Sequence, residues 1–310
     1  MKVFSSVSSY NISNQSVVTI GTFDGVHIGH KAILNRLINT AKEENLESVV
    51  LTFFPHPRMV LQKDAEIKLI NTIRERKILL EKTGLNQLII NPFTKEFSRL
   101  TALEFVRDIL VNQLHLKKII IGYDHRFGRN RNATIEDLKE FGKTYDFEVI
   151  EISAQQLEEV SVSSTKIRKA IEEGNIEITN KYLGYPFMLT GNIVKGRGIG
   201  KTLDFPTANL HIEEEYKLIP KKGVYLVKSI ISGKEIFGLT NIGNNPTVGG
   251  THQTIETYFL DYNEDLYHQS IQLEFLTRIR DVKTFKSVED LKKAIQEDER
   301  FARNYIKNDL

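Results

Sequence analysis

The sequence predicts two domains: an α/β domain built on a parallel sheet, then a small antiparallel β-barrel with a C-terminal helix. Three observations carry this. The chain has 310 residues, beyond the roughly 250–300 at which one hydrophobic core stops growing. Its first half alternates short apolar runs with longer amphipathic stretches, the rhythm of strand–helix units. After about Asn180 the rhythm changes to short strands punctuated by Gly, Asn and Asp, which suits a small barrel. The domains are accordingly placed at residues 1–180 and 181–310.

In the first half, the apolar runs Ser16–Ile20, Ser48–Phe53, Gln87–Ile90, Lys118–Ile121 and Phe147–Ile152 read as buried parallel strands. Between them, Gly29–Glu43, Thr72–Lys82, Ala102–Asn112 and Ile135–Lys143 carry helical periodicity. In the second half, ISGKEI (Ile231–Ile236) reads as a hairpin. Ser287–Ile306 reads as one amphipathic helix, with Ser287 and Asp290 in a capping-box arrangement and a stripe of Leu291, Ala294, Ile295, Phe301 and Ala302.

Composition excludes several classes. There is no Cys, hence no disulfide framework, thiolate metal site or cysteine nucleophile; this fits a cytoplasmic protein. No apolar run approaches the roughly 20 residues of a membrane span, and the N-terminal stretch lacks the pattern of a signal peptide. The net charge of +2 is shared evenly by the halves, so no nucleic-acid arm stands out. Neither nucleic acid nor membrane is expected as a partner, and the oligomeric state is not encoded in any recognisable segment.

The most informative stretch is GTFDGVHIGH, Gly21 to His30. It sits where the first strand passes into the first helix, at the end of the sheet where such folds bind ligands. A glycine-containing turn there exposes backbone N–H groups at the positive end of a helix, a place for phosphate. His27 and His30 can donate to phosphate oxygens and stabilise charge developing during transfer. Gly29 between them permits close approach of a nucleotide to the backbone. Downstream, VSSTKIR (Val162–Arg168) places the hydroxyls of Ser163, Ser164 and Thr165 at a helix start, with Lys166 and Arg168 adding positive charge. In the second half, GRGIGKTLDFPTANL (Gly196–Leu210) is rich in glycine, as a phosphate cradle needs, through Gly196, Gly198 and Gly200 with Lys201. It contains no GxxxxGK[ST] loop.

GTFDGVHIGH closely resembles the nucleotide-binding signature of nucleotidylyltransferases, in the version found in prokaryotic FAD synthetases fused to a riboflavin kinase. The resemblance implies a Rossmann-like first domain in which His27 and His30 hold ATP phosphates during adenylyl transfer. Arg168 would join them as a leaving-group stabiliser. Gly21, Phe23, Asp24, Gly25 and Gly29 would form the nucleotide turn, with Asp24 near the metal or phosphates. VSSTKIR resembles the family's second phosphate-binding segment. TFFPHPR (Thr52–Arg58) and GYDHRFG (Gly122–Gly128) match two further segments, so Phe53, Pro55 and Asp124 would line the flavin and adenine sites. His125 stands where an aromatic such as Phe is usual, and Thr22 and Phe54 where Asn and an acid are usual.

In the second half, PTAN (Pro206–Asn209) resembles the metal-and-phosphate motif of riboflavin kinases, with Thr207 and Asn209 as oxygen ligands to Mg²⁺, a donor type that suits a hard cation. NIGNNPT, beginning at Asn241, matches a loop near the nucleotide. IETYFLD resembles the strand carrying the catalytic base, which by position is Glu256; it would accept the proton of the ribityl hydroxyl. Asp204 and His268 replace usual glycines, and Val282 replaces a common acid. The resemblance spans Val17 to Ala302. It implies a bifunctional enzyme with ATP as co-substrate and riboflavin, FMN and FAD as small-molecule substrates and products. Two alternatives share the resemblance: a monofunctional FAD synthetase whose barrel lacks kinase turnover, and a non-catalytic flavin-binding regulator.

Overall fold

A computed structural model of the chain describes residues 1–62, 67–123, 125–153, 162–196, 205–247 and 250–309. It divides into two compact units, Met1–Ser164 and Thr165–Leu310.

The first unit is built on a six-stranded sheet. Strand β1 (Lys2–Phe4) is followed by β2 (Ser16–Ile20), helix α1 (Ile28–Glu44), β3 (Glu47–Phe54), the short helix α2 (Pro57–Leu61), α3 (Ile73–Glu81) and β4 (Gln87–Pro92). One turn of α4 (Ala102–Glu104) continues as a π-helical segment, Phe105–Gln113, and β5 (Leu116–Gly122), α5 (Ile135–Tyr145) and β6 (Glu148–Ile152) complete the unit. The strand order is β1-β4-β3-β2-β5-β6, and every pairing is parallel. Neighbouring residues Val17 and Val18, Val49 and Val50, and Ile119 and Ile120 are all fully buried. Successive strand side chains point to opposite faces, so both faces of the sheet are covered, as a parallel sheet requires.

The order of strands fixes where a ligand can sit. From β2 the chain moves outward to β3 and β4, then returns to place β5 on the other side of β2. The crevice between the carboxyl ends of β2 and β5 is therefore the topological switch point of the sheet.

The second unit opens with helices α6 (Ser164–Glu173, whose first residue closes the first unit) and α7 (Ile176–Leu183). The barrel follows: β7 (Met188–Val194), β8 (Thr207–His211), β9 (Gly223–Ile231), β10 (Lys234–Thr247), β11 (Gly250–Phe259) and β12 (Ser270–Arg280), then helix α8 (Val288–Asp309). These six strands close in the order β10-β11-β8-β7-β12-β9, with antiparallel pairings throughout. The predicted ISGKEI hairpin turns through Ser232 (φ 51) and Gly233 (φ 77), two left-handed residues that match a type I′ loop to the strand twist. At the predicted cap of the last helix, Asp290 N–H donates to Ser287 Oγ at 3.1 Å. Ala302, Tyr305 and Ile306 of α8 pack on Leu226, Leu239 and Leu276 of the barrel's outer face.

Candidate functional site

The turn after β2 is fastened by the sheet beside it. Gly21 N–H continues the ladder to Leu51 O at 3.1 Å, and Thr52 Oγ1 donates to Thr22 O at 3.2 Å. The chain then reverses through three positive-φ residues, Phe23 (48), Gly25 (90) and Val26 (34). Two of these are not glycine, and such strained backbone concentrates at functional turns. Val26 N–H closes the turn on Phe23 O at 3.1 Å.

His27 is the N-cap of α1. Its Nδ1 accepts the backbone N–H of His30 at 3.3 Å, in the manner of an Asp or Ser cap. With Nδ1 acting as acceptor, the proton of the neutral ring lies on Nε2. His30 stacks on it at 3.6 Å between ring centroids, with 18° between planes, and Phe23 packs at 5.1 Å from His30. Burial, reinforced by His27 and Arg76, pushes the His30 imidazole well below the ordinary histidine value. It is neutral near pH 7, so it offers one N–H rather than two. His30 Nδ1 is buried and has no hydrogen-bond partner among the described residues.

Both imidazoles line a cavity of about 320 Å³ at the switch point, together with Gly21, Phe23 and Gly29, Ile121 and Gly122 at the end of β5, His125, and Ser163 and Ser164. A volume near 300 Å³ is at the lower end for small-molecule sites. Gly29 keeps the His27 ring uncrowded there: a Cβ would stand 3.2 Å from His27 Cε1. The structure thus assembles Gly21, Phe23, His27, Gly29, His30, Ser163 and Ser164 around one space. His125, noted in the sequence only as a departure, is also in its wall.

Other expected contacts lie elsewhere. The Asp24 carboxylate is fully buried and is not among the described residues that line this cavity. Its Oδ2 accepts Ile70 N–H at 3.1 Å and its Oδ1 accepts Asn71 N–H at 3.2 Å, so it anchors a neighbouring loop. Gly25 is buried in the turn and supplies its backbone shape. Phe53 is part of the core, 5.6 Å from Phe93 and 5.4 Å from Phe97 between ring centroids; the aromatic ring expected at a flavin is spent on packing. Pro55 is exposed beyond β3. Thr165 is exposed and Arg168 half-buried on α6, in the second unit. Asp124, Gly198, Gly200, Lys201 and Asp204 lie outside the described residues.

The barrel brings its candidates together by strand register. Asn241 of β10 pairs with Glu256 of β11, and Glu256 pairs with Asn209 of β8. Cross-strand partners project from the same face, so Asn241, Glu256 and Asn209 form one polar row over three strands. Thr207, two residues from Asn209, shares that face. All four are half-buried, whereas Ile255 and Thr257 on either side of Glu256 are buried on the opposite face. The row therefore lies on the barrel's outer surface, the face against which α8 packs at Leu226 and Leu239. Gly196 leans on this row: a Cβ there would fall 2.2 Å from Asn209 Nδ2. A hydroxyl, an amide oxygen and a carboxylate on one face form an all-oxygen donor set, which fits Mg²⁺.

A parallel α/β sheet with paired imidazoles at its switch point, and a closed barrel with an oxygen-rich strand row, define a two-module protein with a candidate site in each module. The comparisons agree with both modules. Residues 9–166 match the FAD synthetase family and residues 183–306 the riboflavin kinase family. A Buchnera aphidicola protein named bifunctional riboflavin kinase/FMN adenylyltransferase is 36% identical over 298 residues, covering 95% of each chain. The identically named Escherichia coli K12 protein is 35% identical over 291 residues, covering 94% of this chain and 92% of its own. The chain belongs to the bifunctional riboflavin kinase/FAD synthetase family. Among solved structures, a Streptococcus pneumoniae protein bearing a macrolide-efflux name superposes with a TM-score of 0.87 at 31% identity, over 97% of this chain and 98% of that one. Among the described residues of this chain, no helix is long and apolar enough to cross a membrane.

Proposed function

We propose that this chain makes FAD in two steps. The second unit transfers the γ-phosphoryl group of ATP to riboflavin, giving FMN and ADP. The first unit transfers the adenylyl group of a second ATP to FMN, giving FAD and pyrophosphate. What supports the reading most is the stacked His27–His30 pair at the switch-point cavity, within a chain whose two halves match the two families in order.

In adenylyl transfer, an FMN phosphate oxygen attacks the α-phosphorus and pyrophosphate leaves. The attacking oxygen is already ionised, so positioning and charge stabilisation carry the catalysis. His27 Nε2–H and the single N–H of His30 donate to phosphate oxygens, with the hydroxyls of Ser163 and Ser164 on the same wall. The neutral state of His30 suits an empty site; an arriving phosphate favours its protonation by the same electrostatics that oppose it now. Arg168, Thr165 and Asp124 are assigned to nucleotide binding on the family resemblance alone.

In phosphoryl transfer, Glu256 accepts the proton of the attacking ribityl hydroxyl. Thr207 and Asn209 would hold Mg²⁺, which would supply neutralisation of phosphate charge. Asn241 extends the polar row toward the nucleotide, and Gly196 leaves room for the Asn209 amide. A cytoplasmic setting suits a cysteine-free enzyme that consumes ATP.

Product chromatography after incubation with Mg²⁺–ATP tests the whole reading. FAD from riboflavin and from FMN alike is expected. FAD from FMN with riboflavin untouched restricts the activity to the first unit. Flavin binding without pyrophosphate release overturns the catalytic reading.

A further inference from the structure

The Asp24 carboxylate ties the histidine turn to a segment more than forty residues away. It takes the N–H groups of Ile70 and Asn71 and faces the Arg76 guanidinium, 3.6 Å from Oδ1. The backbone carbonyl of the same residue accepts the Ser164 hydroxyl at 2.8 Å. Asp24 is 0% and Arg76 2% exposed, so both charges are shielded from water and loss of one is costly to the other. Arg76 is held rigidly, because the Thr72–Glu75 capping box fixes the start of its helix. The Ile70–Asn71 segment and α3 therefore converge on one carboxylate, and Ser164 is tied to the backbone of the same residue.

We propose that the buried Asp24–Arg76 pair is a positioning device for the phosphate-facing histidines, setting the turn that carries them and keeping a fixed guanidinium charge within reach of His30. The proposal rests on the adenylyl-transfer reading for its kinetic consequence, but not for its structural one. The groups facing His30 are the His27 ring from the helix cap and Phe23 from the turn, with His125 in the same cavity wall. His27 and Arg76 of α3 both oppose its charge, and the Asp24 carboxylate offsets part of the latter. Arg76 is not among the described residues that line the cavity, so its role is that of a positioning residue.

The test uses the full-length protein with R76Q and R76K. Histidine imidazole NMR follows the His30 titration, and steady-state kinetics follow FAD formation from FMN. In R76Q the His30 midpoint is expected to rise by about half a pH unit or more. Its kcat should fall about tenfold, with KM for FMN changed by less than about threefold. R76K, which keeps the charge, should retain the low His30 midpoint and most of the kcat. If R76Q does not fold, D24N/R76Q removes both charges together; their effects on His30 oppose each other, so its midpoint should move less than in R76Q, while kcat still falls about tenfold because the turn has lost its anchor. A folded R76Q with an unmoved His30 midpoint overturns the proposal, as does a folded double variant with wild-type kcat or equal loss of kcat in R76Q and R76K. If the wild-type protein makes no FAD, the adenylyl-transfer reading fails, while the His30 titration still decides whether the pair sets the histidine's electrostatics.

Discussion

His268 adopts a left-handed backbone, φ 63, in the loop where its own N–H reaches Ile193 O at 3.0 Å. An L side chain in that region costs about 1–2 kcal/mol, which explains why glycine is usual there. Glycine recovers that strain but loses more entropy on folding, so His268→Gly should stabilise the second unit by about 0.5–1 kcal/mol, read as a higher denaturant midpoint with an unchanged m-value. His30 makes an opposite contribution at low pH. Its imidazole is held neutral in the folded chain, below the ordinary value near 6.5. The unfolded chain takes up that proton as pH falls through 6.5 and the folded chain does not, so stability is lost on the acid side. His30→Asn should flatten the decline between pH 6.5 and 5 by up to about 1.4 kcal/mol per pH unit, measured by urea denaturation; an unchanged slope would show that His30 titrates alike in both states. Asp24 marks a limit of reading at this scale. Its place in the signature was visible, but the direction of its carboxylate depends on Ile70, Asn71 and Arg76, partners that no local pattern announces.

The long elements were legible because their periodicities are strong. Strand β2 has the bounds expected from its sequence, and α1, α3 and α5 differ from expectation by at most two residues at either end. What escaped was short or irregular. Strand β1 is three residues long and owes its existence to pairing with β4. The helix expected over 102–112 carries α-like periodicity, yet its bulk is π-helical. The start of α6 was read at Ser163–Thr165, but its extent and α7, beyond the turn at Gly174, were not. In the barrel, single residues named the motif, whereas only register shows that Asn241, Glu256 and Asn209 share a row. That row yields a prediction about Gly196, whose absent side chain makes space for Asn209. Gly196→Ala places a methyl 2.2 Å from the Asn209 amide nitrogen, so the amide must swing away. Riboflavin phosphorylation should fall about tenfold or more, on the scale of a displaced site group, while FAD formation from FMN is unchanged. Equal activity in the variant would show that Asn209 has no part in the kinase site.

At the scale of the molecule, the histidine cavity and the oxygen row are carried by different compact units, with Thr165 and Arg168, assigned to the nucleotide by resemblance, at the head of the second. The cavity residues all fall in Met1–Ser164 and the oxygen row in Thr165–Leu310. Sites built from separate cores fail separately, because substitutions far apart and without shared partners act additively. His27→Ala removes both the Nε2 donor and the α1 cap, so FAD formation from FMN should drop at least about tenfold, the cost of losing a transition-state donor. Riboflavin phosphorylation should stay within about twofold of wild type. Glu256→Gln keeps the side-chain shape but cannot take the hydroxyl proton, so it should lower phosphorylation by about 10²-fold or more and leave adenylyl transfer intact. The two variants mixed in one tube then make a sharper test than either alone. Each supplies the half that the other lacks, so riboflavin should proceed to FAD through released FMN. Accumulation of FMN without FAD in the mixture, while the His27→Ala protein phosphorylates normally and the Glu256→Gln protein still adenylates added FMN, would mean that FMN does not leave the chain that made it. Loss of both activities in either single variant would contradict two independent sites.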